Sequence, residues 1–165
     1  MEVTATEDEM ARTVLMATLI CGSLDIIFAI ALGVIGGGSA QGVLRSVASG
    51  PFGNVTHLGP LGAVLGLVVH FAIMAAMVAV LALAFRRGLL SNTSIWSFGI
   101  GYGLILYVIM YWIVLPMRWP GAFPQTGLKD VAGAVFAHVV LVGLPMAHLL
   151  RGLRKNSTRG RNSVE

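Results

Sequence analysis

Four apolar runs, each long enough to cross a hydrocarbon core, constrain this chain more than any motif it carries. They cover about 11–35, 61–85, 95–115 and 131–150, and a core of about 30 Å takes roughly 20 helical residues. None alternates with period two, so a lipid-facing barrel is excluded and helices must satisfy the backbone. The first run ends at Gly36-Gly37-Gly38, the second at Arg86-Arg87, the third at Pro116 and the fourth at Arg151. The predicted fold class is all-α: a polytopic membrane protein built as a four-transmembrane-helix bundle. A single domain spans 1–150, followed by a basic, flexible tail over 151–165.

Composition narrows the function classes. The chain is 56% hydrophobic and 11% charged, where a soluble domain is about 45–50% apolar and about 25% charged. A soluble enzyme, a nucleic-acid partner and a disordered chain are excluded. One Cys rules out a disulfide framework or a thiolate metal cluster.

Cation placement predicts orientation. Arg12, Arg86, Arg87, Arg151, Arg154, Lys155, Arg159 and Arg161 fall on one side, and Arg45, Arg118 and Lys129 on the other. Both termini are therefore expected in the cytoplasm, with the bundle in the cytoplasmic (inner) membrane. Trp96 marks one interface, and Tyr111, Trp112 and Trp119 the opposite one. Arg86, Arg87, Arg151, Arg154 and Lys155 are expected to contact anionic lipid headgroups. Glu2, Glu7, Asp8 and Glu9 carry the wrong charge for the start of a cleavable signal. Of the Asn-X-Ser/Thr triplets at Asn54, Asn92 and Asn156, this topology puts only Asn54 outside.

The first outer loop, Gly38 to Pro60, has a pattern of its own. Val43, Leu44 and Val47 share one face, Ser39 can cap the start, and Gly50-Pro51 ends the segment. This predicts a short interfacial helix. The loop from Pro116 to Lys129, with three prolines, is expected to be ordered irregular backbone.

Spans two and four echo each other around a histidine. Gly62–His70 sets over Asp130–His138, each with a small residue four before the His. Gly66-x-x-x-His70, Gly99-Ile100-Gly101-Tyr102-Gly103 ending in Pro116, and Phe136-Ala137-His138 followed by Arg151 resemble the YagU-type inner-membrane proteins. The likeness covers spans two to four. It implies a helical membrane bundle and no particular activity. That family carries a carboxylate shortly before the span-four histidine, where this chain has Gly133-Ala134-Val135, so no role for such an acid carries over.

Depth points to a site. Counted from the outer ends, Asp25, His70, Tyr107 and His138 all lie roughly 12–16 Å in, at about 1.5 Å per residue. Each span thus contributes one polar group near the midplane. A charge there costs roughly 2.5–3.5 kcal/mol, so Asp25 is expected to have a partner or a function. Three uses are open. The first is a structural hydrogen-bond layer in an interaction or accessory subunit. The second is a small transporter or proton-conducting protein using Asp25, His70 and His138. The third is a haem or divalent-metal site on His70 and His138, with Asp25 joining a metal. Nothing in the residue order suggests an enzyme. Besides the lipid bilayer, the expected partners are further copies of the chain or a larger membrane complex.

Overall fold

The structure is a computed structural model that describes residues 2–87 and 94–161, and the side chains of all of these except 2–6, 152 and 154–161. Every regular element among the described residues is helical. Helix α1 is Glu2–Ile35, α2 is Ala40–Phe52, and a single 3₁₀ turn at Thr56–Leu58 leads into α3, Gly59–Arg86. Helix α4 is one rod in three parts, Ile95–Val108, Ile109–Val114 and Leu115–Arg118; α5 is another, Leu128–Phe136, Ala137–Gly143 and Leu144–Arg161. The long helices α1, α3, α4 and α5 are each long and apolar enough to cross a membrane.

Helix α4 runs through Pro116, where the sequence suggested an end, and a π segment ahead of each inner proline of α4 and α5 shows how. A proline ring clashes with the carbonyl four residues back. Just before Pro116 and Pro145 the helix widens to π geometry, over Ile109–Val114 and Ala137–Gly143. The N–H of Leu115 bonds Met110 O and that of Leu144 bonds Val139 O, five residues back. The wider turn makes room for the ring, so Pro116 sits inside α4 and the helix reaches Arg118. At the far end α5 stays helical to Arg161, into the stretch expected as a tail. The side chains of Arg154 and Lys155, and the Asn92 triplet's asparagine, lie outside the described residues.

One core joins all four long helices. Ala17 and Cys21 of α1, Val78, Leu81 and Phe85 of α3, Leu106 of α4, and Val142, Met146 and Leu150 of α5 are buried together. The cluster continues to Met10, Phe98 and Leu153, so the first turns of α1, the end of α3, the start of α4 and the later part of α5 share one end of the bundle. Outward faces are as apolar as the core: Ile27, Val64, Val80, Ile105 and Ile113 are all exposed.

Glycine sets the closest approaches. A Cβ on Gly99 would sit 3.0 Å from Gly143 O, and one on Gly103 2.5 Å from His138 O. Backbones of α4 and α5 therefore touch along a four-residue spacing. Gly101, between them, meets nothing within 4 Å and faces outward.

Helix α2 crosses the end of the bundle opposite the termini. Val43 packs on Gly33 of α1, Leu44 lays its backbone on Gly66 of α3, and Arg118 Nε of α4 donates to Ser49 O at 3.0 Å. Ser39 Oγ accepts from Gly42 N–H at 3.1 Å, the cap that the sequence suggested. The expected stop at Gly50-Pro51 is overrun. The helix ends at Phe52, and Gly53 turns the chain with φ +73, a conformation that favours glycine. Ser39→Ala should lower unfolding free energy by about 1 kcal/mol, read by denaturant titration in detergent.

Candidate functional site

The bundle brings Asp25, His70, Tyr107 and His138 into one layer and adds a second tyrosine. His138 lies on the π segment of α5, and its ring is packed edge-on by Tyr111 at 5.7 Å and by Tyr107 at 6.3 Å between centroids. The two tyrosine rings stack at 5.4 Å. The Asp25 carboxylate interacts electrostatically with His138 and, less strongly, with His70. Tyr111 is within the same reach of Asp25.

Tyr111, four residues after Tyr107, shares that residue's face and packs against His138 and Phe123. The spacing was a readable signal. The position of Trp112 was not. Its Nε1 donates to the Tyr107 hydroxyl at 3.2 Å, across five residues. Those positions do not face each other on an α turn, but the wider π turn brings them together.

The two histidines are anchored differently, so the sequence echo does not extend to their bonding. His70 is buried, and its Nε2–H donates to Gly22 O at 2.9 Å, joining α3 to α1. His138 is half-buried and donates Nδ1–H to Ala134 O of its own helix at 2.9 Å. That bond occupies Nδ1 and leaves Nε2 for the layer.

Asp25 is half-buried on the inner face of α1, and its carboxylate makes no hydrogen bond to any described residue. Two turns further along that face, Thr18 Oγ1 is buried and likewise unbonded among the described residues. Cys21 between them is a free, buried thiol.

Among the described residues, no three or more His, Cys, Asp and Glu side chains stand at metal-holding spacing. Asp25, His70 and His138, the set suggested for a metal, therefore share a layer without forming a ligand group. The rings packed around His138 are tyrosines of this chain. His148 lies elsewhere, donating Nδ1–H to Leu144 O at 2.9 Å with its ring edge-on to Trp96. His57 is exposed on the 3₁₀ turn. No family model, curated protein or solved structure matches this chain.

Proposed function

We propose that the chain is an integral protein of the cytoplasmic membrane in which the Asp25–His138 layer carries protons, as a small proton-conducting or proton-coupled transport subunit. One observation carries the reading: the half-buried Asp25 carboxylate lies within electrostatic reach of two imidazoles and has no hydrogen bond within the described residues. A carboxylate kept for structure in an apolar bundle would be bonded, because orphaned polar groups there cost several kcal/mol. Left unbonded within electrostatic reach of His138, it is suited to exchange a proton with Nε2 through an intervening water. The unbonded Thr18 hydroxyl on the same face supports a hydrated route toward the termini. The apolar outer faces support lipid around the bundle, and the cation count supports cytoplasmic termini. Four helices enclose too little space for a wide pore, so the working unit is an oligomer. The YagU-type likeness belongs to the same proposal and adds no activity to it.

A second reading is favoured by the His70 bond to Gly22 O, which joins two helices as a structural layer would. In that reading the chain is an accessory subunit of a larger membrane complex. The test is proton entry into liposomes holding the purified chain and a pH-sensitive dye, driven by an imposed potential. Entry above that of empty liposomes, reduced in His138→Gln, is the expected result. Entry equal to that of empty liposomes sinks the conducting reading in favour of the second.

A further inference from the structure

A cleft of about 370 Å³ opens at the end of the bundle opposite the termini, between α2 and the end of α4. Its lining includes Arg45, Ser49, Asn54, Thr56, Arg118 and Trp119, and no carboxylate. The two arginines are 73 positions apart in sequence (118 − 45) and meet only because α2 crosses to α4. Two guanidinium groups sharing a cleft repel each other unless an anion lies between them.

Each arginine is held in place. Arg118 donates Nε–H to Ser49 O at 3.0 Å, and its guanidinium lies 5.5 Å from the centre of the Trp119 ring. Both Nη groups are left for a ligand. Arg45 lays its stem against Gly62, with Cγ 3.2 Å from where a Cβ would stand. Its Nη1 reaches Gln41 Oε1 only at 3.5 Å. Asn54 Oδ1 accepts from Thr56 N–H at 3.0 Å, which turns the asparagine amide toward donation. The Ser46 and Ser49 hydroxyls donate to helix carbonyls at 2.6 and 2.8 Å. The donors left to the cleft are therefore two arginine forks, an amide and the Thr56 hydroxyl.

We infer that this cleft binds a phosphate group, gripped by the Arg45 and Arg118 forks. Planar forks bind phosphate oxygens in pairs, which suits a phosphate better than chloride. The cleft's size falls at the small end of ligand sites, with room for a phosphate carrying a small substituent. The group can come from a soluble phosphate or from an anionic lipid headgroup. The inference does not depend on the proton layer.

The test uses the full chain and the fluorescence of Trp119, with Trp119→Phe giving the background from Trp96 and Trp112. In neutral detergent, inorganic phosphate is titrated against chloride at matched ionic strength. In the other arm, without inorganic phosphate in the buffer, nanodiscs of zwitterionic phosphatidylcholine are compared with discs that also contain anionic phosphatidylglycerol. Arg118 ties α2 to α4, so Arg45→Gln, which leaves that bond in place, is the deciding variant. A saturable phosphate response weakened about tenfold in Arg45→Gln supports a soluble phosphate. A response only in phosphatidylglycerol discs, lost in Arg45→Gln, supports a lipid headgroup. No response in either arm, an equal response to chloride, or a response indifferent to Arg45→Gln overturns the inference.

Discussion

Asp25→Asn should bring proton entry into liposomes down to the level of empty vesicles while leaving the bundle at least as stable as the parent. Asparagine keeps the shape of the side chain and removes the proton that it can exchange. The carboxylate makes no hydrogen bond to a described residue, so no bond is lost with its charge. What is lost is an ionisable group in an apolar layer, and a charge at the membrane centre costs roughly 2.5–3.5 kcal/mol. Relief of part of that cost should leave the denaturant midpoint equal or higher. The accessory-subunit reading predicts the opposite pair of results. If Asp25 holds the layer together through His138, its loss lowers the midpoint and changes no flux. Measuring flux and midpoint on one preparation separates the two readings by sign.

Gly66→Val should be the most damaging substitution in the bundle. The Leu44 backbone lies directly on Gly66, and a Cβ there would overlap the Leu44 carbonyl. Backbone is the neighbour, so no rotamer change relieves the clash. Helix α2 has to lift away from α3. Overpacking of a close contact costs typically 1–3 kcal/mol, and a backbone collision belongs at the upper end, about 3 kcal/mol. Size-exclusion profiles and denaturant midpoints in detergent should show a large loss of folded protein. Gly101→Val is the control. Its Cβ would meet nothing within 4 Å, and the same change in chain entropy should leave the midpoint nearly unmoved. If both variants behave alike, α2 is not seated on Gly66 as described.

The sequence alone determined the helical class and the four helices long and apolar enough to cross a membrane. Long apolar runs without period-two alternation leave only helices, because backbone groups in hydrocarbon must bond within their own segment. Counting residues along each run placed Asp25, His70, Tyr107 and His138 at one depth, since helix rise per residue is nearly constant. Ser39 was legible as a cap because its chemistry is local. Tertiary structure decided everything that depends on which way a side chain faces and what stands opposite it. His70 bonds Gly22, 48 positions away, and no local pattern carries that pairing. The π segment of α4 turned Trp112 toward Tyr107, whereas the prolines alone suggested an ending at Pro116. Arg45 and Arg118 read as loop cations until α2, seated on Gly66, set them around one cleft. Depth follows from a single helix, but facing follows from the packing of several, and packing is a property of the whole chain.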